Sequence, residues 1–324
     1  PQVKLEHIFR QSEESTIVTL ASQIRKGHLP PDFMEKKPDR SYFEAPSELV
    51  APMIEKITSA ALRNGIPARD IQVLAPMYRG SAGIDQINSL MQELLNPLET
   101  DALFFQALDC QYRNGDKVIH LVNDAESNVF NGDIGYITDL LPAKYTESKQ
   151  DELTIQFDGN ELVYPRNEWY KIRLAYAMSI HKSQGSEFPV VILPLTNQSR
   201  RMLQRNLIYT AITRSKSKLI LLGEYTAFHF ATQNTGTARK TYLIERFSDV
   251  LPQRTDSSSQ SSVHLEEPAK QTEPQSELVS VENHSDSSDS QPSQQGYRLT
   301  EDNYLSIDPM IGLTEEEIQH FFKN

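Results

Sequence analysis

Apolar residues recur with helical spacing in three segments near the start of the chain. The pattern predicts helices over residues 17–27, 46–64 and 84–94, and the first of them ends at a glycine. A short apolar run at residues 71–76 predicts a buried strand between the second and third helices. Residues 27–46 are polar and rich in proline, so we expect a surface loop there. A strand followed by a loop and a helix is typical of α/β proteins, in which ligands bind at the carboxyl ends of strands.

The pattern changes near Asp101 to short strands that turn residues separate. Strands are predicted at residues 118–122, 135–141, 153–157 and 161–165, and the turns between them contain Asn-Gly and Asp-Gly pairs. Several short strands with such turns are typical of a small antiparallel barrel or meander, which we expect over residues 102–170.

The α/β pattern returns after this segment. It predicts strands at residues 190–193 and 219–222, with a helix from Gln198 to Arg214 between them. Residues 1–101 and 171–250 are therefore expected to form one α/β domain into which the barrel is inserted.

The net charge of -12 is concentrated at the end of the chain. Residues 255–324 carry 14 acidic and 3 basic side chains, whereas the preceding residues are nearly neutral. The Ser, Gln and Glu content predicts a disordered acidic linker at residues 251–298. A capping box at Thr314–Glu317 predicts a short helix within residues 299–324. The acidic tail argues against indiscriminate binding to polyanions but leaves room for a local basic track.

Cysteine use and hydropathy restrict the class of protein. The single cysteine, Cys110, excludes an internal disulfide and a multi-cysteine zinc site, which suits a reducing cytoplasmic location. No apolar run approaches the roughly 20 residues of a membrane span and no signal peptide opens the chain, so no membrane partner is expected. The chain begins with Pro1 rather than methionine, and we expect a fragment or a processed product.

Arg214, at the end of the predicted helix, is the first candidate for chemistry. In nucleotide-dependent motors, an arginine from a second domain neutralises charge on the transferring phosphoryl group, and its planar guanidinium can engage two phosphate oxygens. The alternative is a cation that stabilises a helix C-terminus. The surrounding string Tyr209–Lys216 favours the first interpretation. Near the start of the chain, Phe9 and Arg10 offer a ring for adenine and a cation for phosphate, although a lone phenylalanine is more often a core residue.

A polar loop before the strand at residues 190–193 offers further candidates. Ser179 and His181 can contact a DNA backbone, Gly185 permits close backbone approach, and Glu187 can accept a hydrogen bond from a ribose hydroxyl. The alternative is a solvated turn with a surface histidine. Metal ligation by His181 is not expected, because no second histidine or cysteine lies at ligand spacing.

Tyr78 and Arg79 follow the strand at residues 71–76 and precede a helix. There, Tyr78 can stack on a base and Arg79 can meet a phosphate, or the segment is an ordinary connection. The tight turn Asn131-Gly132-Asp133 requires no function.

Two motifs of a complete ATPase are missing. The chain contains no Gly-Lys dipeptide and hence no Gly-x-x-x-x-Gly-Lys-Ser/Thr phosphate loop. Its single Asp-Glu pair, Asp151-Glu152, precedes a barrel strand and is not a credible magnesium site. We expect this chain alone not to hydrolyse ATP.

Five strings of this sequence closely resemble the RecD-like DNA helicases, superfamily 1 enzymes that move 5′ to 3′ on single-stranded DNA. The strings are residues 8–11, 75–80, 129–133, 179–188 and 209–214, and the match extends over residues 1–250. The resemblance implies an α/β fold: a RecA-like second motor domain of the P-loop NTPase type, with an inserted small SH3-like β-barrel. It also implies roles in DNA repair and recombination.

The resemblance assigns roles to the candidate residues. Arg10 and Arg214 would be the arginines that contact the γ-phosphate. The other nucleotide contacts would be Phe9, Gln11, Gly185 and Glu187. Contacts to single-stranded DNA would come from Tyr78, Arg79, Ser179, His181 and Lys182. ATP and Mg²⁺ would be held mainly by an N-terminal RecA-like domain that this chain lacks. The resemblance assigns no role to the acidic tail, which we expect either to shield the DNA track or to dock a protein partner through Tyr304–Phe322.

Two other classes of function stay open. One is a non-catalytic DNA-binding or adaptor module that retains the helicase fold, and the other is a protein-interaction module that works through its tail. A phosphate loop encoded upstream of Pro1 would favour the helicase, whereas a start codon beside Pro1 would favour the adaptor. Removal of residues 255–324 would abolish function only in the third case.

Overall fold

The computed structural model describes residues 15–107 and 109–236, together with the backbone of residues 297–298. All of them belong to the same compact unit of the chain. The predicted helix after Thr314 and most of the predicted linker lie outside the described residues. The helices and strands are, in chain order, α1 (Thr16–Arg25), β1 (Arg40–Glu44), α2 (Ser47–Arg63), β2 (Ile71–Ala75), α3 (Ile84–Leu95), β3 (Phe104–Gln106), β4 (Gln111–Arg113), β5 (Lys117–His120), β6 (Ile134–Leu141), β7 (Glu152–Gln156), β8 (Glu161–Pro165), β9 (Ile172–Leu174), β10 (Ala177–Ser179), β11 (Phe188–Leu195), α4 (Arg205–Ile212), β12 (Ser215–Gly223), α5 (Tyr225–Gln233) and β13 (Tyr297–Arg298).

Six parallel strands form the central sheet, in the order β10-β2-β11-β12-β1-β13. Successive side chains of β11 point to opposite faces, so that Val190 and Ile192 belong to one core and Val191 and Leu193 to the other. Helices α2 and α3 cover the first face, and α1, α4 and α5 cover the second. Burial on both faces explains why β11 and the second half of β12 are almost continuously apolar. The predicted α/β fold with a parallel sheet is confirmed.

The insertion between α3 and β10 is antiparallel. A hairpin of β3 and β4 precedes a five-stranded sheet in the order β8-β7-β6-β5-β9. Its apolar residues, among them Val118, Leu153 and Trp169, join the core beneath α2 and α3. The last strand of this sheet, β9, lies just beyond residue 170, where the sequence places the end of the barrel.

The buried carboxylate of Asp116 holds the insertion against the rest of the domain. It accepts hydrogen bonds from the side chains of Gln92 and Asn96, from the Tyr176 hydroxyl and from the Arg113 amide, at 2.6 to 3.0 Å. Burial raises the pKa of Asp116, and these hydrogen bonds oppose the rise because they stabilise the charged form. One side chain therefore connects α3, the start of the insertion and the segment that returns to the central sheet.

The prediction of a surface loop over residues 27–46 is wrong for the last part of this segment, which contains the buried strand β1. Its first residue, Arg40, is only 3% exposed. The Arg40 guanidinium donates to the carbonyls of Phe33 and Asp32 and also pairs with the Asp32 carboxylate. Because these partners satisfy the charge inside the protein, a charged residue here does not mark a solvent-exposed segment.

The predicted start of the helix at Gln198 is also wrong. Residues 197–202 form a 3₁₀ helix, and Leu203 and Gln204 have extended backbones before α4 begins at Arg205. Leu203 is buried nevertheless, so its apolar position resembled one more turn of an amphipathic helix. The predicted linker at residues 251–298 likewise ends in a short strand, β13, rather than in a wholly irregular segment.

Lys117, the first residue of β5, is buried against the central sheet. Its ammonium lies 3.3 Å from the Arg69 carbonyl, 3.4 Å from the Ile71 carbonyl and 5.7 Å from the centre of the Phe188 ring. Burial lowers the pKa of Lys117 from 10.5 to about 8. The protonated form is therefore disfavoured in the folded state, and the resulting penalty falls as pH rises from about 8 towards the unfolded value.

We predict that deprotonation of Lys117 increases the free energy of unfolding by about 1–2 kcal/mol as the pH rises from roughly 7.5 to roughly 9.5. In Lys117→Met, this part of the pH dependence should disappear, because the buried side chain no longer titrates. Lys26→Met, at the exposed end of α1, is the matched control and should keep the wild-type pH dependence. Denaturant titrations across this pH range measure the effect, and identical pH profiles for the two variants would contradict it.

Candidate nucleotide and nucleic-acid site

The candidate residues lie at two opposite edges of the central sheet. Ser179 ends β10 and is in register with Ala75 at the end of β2, whose following loop carries Tyr78 and Arg79. These residues therefore share the carboxyl edge. Phe188 begins β11 in register with Ser215 at the start of β12, and the residues just before them lie at the amino edge. The amino-edge candidates are Gly185, Glu187 and Arg214.

The loop after β2 folds back on the N-terminus of α3. The Asp85 amide, in the first turn of α3, donates to the Tyr78 carbonyl at 3.1 Å. A Cβ at Gly83 would lie 2.5 Å from the same carbonyl oxygen, so only glycine permits this close approach. The fold of the loop leaves the Tyr78 ring 44% exposed and the Arg79 side chain exposed. Both side chains are available to a ligand at the carboxyl edge.

A cavity of about 120 Å³ lies where the insertion meets the central sheet, and we call it the junction cavity. From the central domain it is lined by three of the predicted DNA contacts, Tyr78, Ser179 and Lys182. From the insertion it is lined by Asp109, Cys110, Ile119, Leu121, Arg173 and Leu174. The structure thus brings together residues that the sequence places far apart.

The junction cavity has an apolar interior and a charged rim. Arg173 pairs with Asp109 at 3.2 Å, and both side chains are more than half exposed. Lys182 donates to the Asn131 side-chain oxygen at 2.5 Å, which connects it to the insertion. Burial raises the pKa of the Cys110 thiol to about 11, so this cysteine stays protonated and unreactive near neutral pH. The cavity suits a small apolar group with an anionic attachment, which Arg173 and Lys182 can contact at the rim.

Residues 180–187, which we call the crossing loop, connect the two edges. The Ser179 carbonyl accepts hydrogen bonds from the amides of Lys182 and Ser183 at 3.0 and 3.2 Å, which gives the loop a tight first turn. The buried Ser183 hydroxyl donates to the Ile180 carbonyl at 2.8 Å. Gly185 has a φ of +96°, a conformation that favours glycine. The chain can then reach the amino edge and enter β11.

His181 faces a different cavity from Ser179 and Lys182. This second cavity, of about 220 Å³, lies between the crossing loop and α4. Its polar lining consists of His181, Gln184, Gln204, Asn206 and Thr210. The structure therefore separates His181 from the other predicted DNA contacts.

Arg214 joins the end of α4 to the crossing loop. Its guanidinium donates to the Thr210 carbonyl at 3.2 Å, to the Ser186 carbonyl at 3.0 Å and to the Thr213 hydroxyl at 3.3 Å. The Phe188 amide donates to the Arg214 carbonyl at 2.9 Å. The side chain is only 7% exposed, so its position is fixed by the protein rather than by solvent.

The nucleotide candidates flank the contact between Arg214 and Ser186. Gly185 and Glu187 are the residues on either side of Ser186, and Glu187 pairs with Lys216 at 3.6 Å. The space around Gly185 is open, since an added Cβ would meet no atom within 4 Å. The three amino-edge candidates are thus brought together, with room for a ligand beside the glycine.

Phe9, Arg10 and Gln11 lie outside the described residues. The described chain begins nearby along the sequence, where the hydroxyls of Ser15 and Thr16 donate to the Asp39 carboxylate immediately before β1. This anchor lies at the amino edge of the sheet, as Arg214 does.

Sequence reasoning missed two residues that position the site. Asn88 is buried in α3 and donates to the carbonyls of Leu174 and Ala177 while it accepts from the Ala177 amide. It therefore holds β10, and with it Ser179. The sequence contained a signal for Asn88, because it is a polar residue on the apolar face of the helix predicted at residues 84–94. Asn131, the partner of Lys182, lies in a turn that gave no such signal.

Within residues 15–107 and 109–236, no group of three or more His, Cys, Asp or Glu side chains is arranged to hold a metal ion. In the same part of the chain, no helix has both the length and the hydropathy to cross a membrane.

Two domain families match this chain. Residues 87–157 match the ATP-dependent RecD-like DNA helicase SH3 domain, and residues 174–222 match the UvrD-like helicase C-terminal domain. The first match covers most of α3 and much of the insertion, and the second extends from the end of β9 into β12. The second therefore contains the crossing loop and Arg214.

The chain is similar to several helicases and RecBCD enzyme subunits. It is 31% identical over 252 residues to the ATP-dependent RecD2 DNA helicase of Deinococcus radiodurans, which covers 76% of this chain and 32% of that protein. It is 26% identical over 181 residues to the RecBCD enzyme subunit RecD of Mycolicibacterium smegmatis, covering 54% of this chain and 30% of that subunit. The chain thus spans about a third of the length of these relatives. A crystal structure of Pif1 helicase from Bacteroides in complex with ADP-AlF3 and ssDNA aligns over 76% of this chain and 56% of that chain, with a TM-score of 0.44 and 18% identity.

The order of the two domain matches agrees with the order of the insertion and the returning sheet strands. The chain therefore contains a segment that matches the ATP-dependent RecD-like DNA helicase SH3 domain, followed by one that matches the UvrD-like helicase C-terminal domain.

Proposed function

We propose that this chain is the C-terminal part of an ATP-dependent DNA helicase that moves 5′ to 3′ along single-stranded DNA. It would supply one wall of an ATP cleft, and an N-terminal RecA-like domain would supply the other wall and hold most of the ATP and Mg²⁺. The observation that carries this proposal is the crossing loop. One end of the loop meets Arg214 at the amino edge, and the other end begins at Ser179 in the junction cavity.

At the amino edge, Arg214 would act on the γ-phosphate. An arginine in this role neutralises the charge that spreads over the phosphoryl oxygens in the transition state. The carbonyls of Thr210 and Ser186 hold its guanidinium, so its position depends on both α4 and the crossing loop. Arg10 would be the second arginine, in agreement with the anchoring of Ser15 at the same edge.

The remaining nucleotide contacts would complete the wall of the cleft. Glu187 would accept a hydrogen bond from the ribose, and the open space at Gly185 would allow its backbone close to the nucleotide. Phe9 would stack on adenine, and Gln11 would contribute a polar contact beside it. ATP and Mg²⁺ supply the transferable phosphoryl group and its charge compensation, while these residues bind and orient the nucleotide.

At the carboxyl edge, Tyr78, Arg79, Ser179 and Lys182 would bind one strand of DNA. Aromatic stacking and contacts from cations to phosphates bind a single strand without requiring a particular base sequence. His181 faces the cavity beside α4, so we assign it to a separate contact on the other side of the crossing loop.

The arrangement suggests how ATP hydrolysis and movement would be coupled. Closing of the cleft on ATP would pull on the Arg214 contact at one end of the crossing loop. The loop is short and internally hydrogen bonded, so displacement at Ser186 would reach Ser179 and Lys182 at its other end. Repeated closing and opening would then shift the grip on the strand.

Replacement of Arg214 in the full-length protein is the main test of the nucleotide assignment. We predict that Arg214→Ala lowers ATP turnover by about 10³-fold or more, because the charge on the phosphoryl group is no longer neutralised. Binding of single-stranded oligonucleotides should stay within about threefold of wild type, since the DNA contacts lie at the other edge. Steady-state ATPase assays and fluorescence anisotropy measure the two quantities.

Two further variants separate chemistry from folding in this test. Arg214→Lys keeps a cation but not the planar guanidinium, so turnover should stay far below wild type even where thermal unfolding is unchanged. Arg201→Ala, at an exposed arginine before α4, is the matched control and should turn over ATP normally. Wild-type turnover in Arg214→Ala would refute the assignment. A full-length protein that binds single strands but shows no DNA-stimulated ATPase would favour the adaptor instead.

The DNA assignment predicts a change in the salt dependence of binding. Arg79→Ala should weaken the affinity for a single strand by roughly three- to tenfold, because one phosphate contact is lost. The slope of log affinity against log salt concentration should become shallower by about one for the same reason. Arg63→Ala removes an exposed arginine at the far end of α2 and should leave both quantities unchanged. Anisotropy titrations at several salt concentrations provide the measurement. Equal salt slopes for the two variants would remove Arg79 from the DNA site.

A further inference from the structure

The outer edge of β1 is where the distant C-terminal segment joins the central sheet. β13 pairs with β1 in parallel, with Tyr297 opposite Phe43 and Arg298 opposite Glu44. The opposite edge of β1 is already occupied by β12 along its whole length. The pairing thus extends the sheet by one strand that comes from beyond the acidic segment of the sequence.

Hydrogen bonds to β12 show which way the backbone of β1 points. The Asp39 carbonyl accepts from the Leu219 amide at 2.9 Å, and the Ala45 amide donates to the Gly223 carbonyl at 3.0 Å. In a parallel pair, the N–H and C=O of one residue point to the same side, and successive residues alternate. The odd-numbered residues of this segment therefore face β12.

The even-numbered residues of β1 must face the outer side. The Arg40 carbonyl is satisfied there by the Lys37 amide at 2.9 Å. Tyr42 and Glu44 direct their backbone groups to the same side, where Tyr297 lies between them in register. The geometry of a parallel ladder then pairs the Tyr297 amide with the Tyr42 carbonyl, and the Glu44 amide with the Tyr297 carbonyl.

We propose that the outer edge of β1 is a strand-docking site that anchors the acidic C-terminal tail to the central sheet. Addition of an extended segment to an open sheet edge is a general mode of peptide recognition, in which main-chain hydrogen bonds provide the affinity. The occupant is this chain's own segment at Tyr297–Arg298. Docking also covers an edge that would otherwise be open to strands of other molecules.

The pairing of β13 with β1 is weak enough for another strand to replace β13. Each main-chain hydrogen bond makes only a small net contribution, because it replaces a hydrogen bond to water, so a two-residue ladder is a marginal contact. Tethering within one chain raises the effective concentration of the segment at the edge and so keeps the site occupied. A second strand of greater length would compete for the same backbone groups.

The direction of the anchored strand has an electrostatic consequence, which rests on the proposed function. Since β13 runs parallel to β1, the chain leaves it at the carboxyl edge, the edge that carries Tyr78, Arg79 and Ser179. Glu301 and Asp302 follow Arg298 along the sequence after two intervening residues. Anchoring therefore keeps negative charge on the domain that would bind DNA, and it should weaken single-strand binding at low salt.

Amide hydrogen exchange of the full chain tests the anchor with an internal control. In Tyr297→Pro, which removes the amide facing Tyr42, exchange of the Glu44 amide should accelerate at least tenfold. The amides of Phe43 and Ala45 face β12 and should keep their wild-type rates. Unchanged exchange at Glu44 would overturn the anchor, as would equal acceleration at all three amides, which would mean that β1 itself had loosened.

Two truncated chains form a matched pair that tests the same anchor without the Tyr297→Pro substitution. A chain that ends at Ser293 lacks β13 and should show fast exchange at Glu44, whereas a chain that ends at Asp308 retains β13 and should behave as wild type. A synthetic peptide of residues 294–308 added to the shorter chain should restore protection of Glu44. Fast exchange in both truncations, or no protection by the peptide at millimolar concentration, would count against the site.

The effect on DNA is measured separately with Tyr297→Pro, which preserves the charge of the tail. Its affinity for a single-stranded oligonucleotide should be about three- to tenfold higher than wild type at low salt, with the difference lost at high salt. Equal affinities at low salt would refute the electrostatic part of the proposal. If neither protein binds single strands, the proposed function fails, whereas exchange at Glu44 still decides the anchor.

Discussion

The connection between β10 and β11 determines how the two halves of the site are related. Both strands pair with β2 in parallel, one on each side, so the chain between them has to travel from the carboxyl edge of the sheet back to its amino edge. Eight residues make this passage, and hydrogen bonds within their first turn and from Arg214 to Ser186 fix both ends. A contact at one edge is therefore mechanically connected to the other edge through a short, ordered segment.

The insertion contributes side chains to the candidate site. It lines the junction cavity and supplies Asn131 as the partner of Lys182. Asp116 and Asn88 tie the two ends of the insertion to α3 and β10. The loop with Tyr78 leads directly into α3. Movement of the insertion relative to the sheet would therefore reshape the proposed DNA surface. The insertion is thus placed to sense or adjust the proposed contact with DNA.

Local patterns predicted much of the fold. The helix predicted at residues 46–64 and the strand predicted at 71–76 agree with α2 and β2 to within one residue, because each has a strong apolar period or a short run bounded by turn residues. The strand β1 escaped prediction because its charged first residue, Arg40, is neutralised by partners that only the folded chain brings near. The segment before α4 was mistaken for α-helix because the buried Leu203, which follows the 3₁₀ helix, fits the same apolar period.

The sequence suggested the candidate residues one by one but could not predict how they are grouped in space. Short motifs indicated Arg214 and Glu187 individually, and the structure brings them together through the Ser186 carbonyl. The separation of His181 from Ser179 depends on which side of the crossing loop each side chain leaves, and two positions of sequence distance do not specify that. The pairing of Lys182 with Asn131 depends on how the insertion docks, which is a long-range property.

The most direct test of the crossing loop as a coupling element compares two glycines in the full-length protein. Gly185 and Gly159 both have a positive φ, +96° and +88°, and an added Cβ would meet no atom within 4 Å at either. Alanine therefore imposes a similar backbone strain at both positions, but only Gly185 lies in the loop. The quantity to measure is the factor by which a saturating single strand raises affinity for a non-hydrolysable ATP analogue. We expect Gly185→Ala to bring that factor close to one and Gly159→Ala to leave it at the wild-type value, whereas equal factors in both variants and wild type would contradict coupling through this loop.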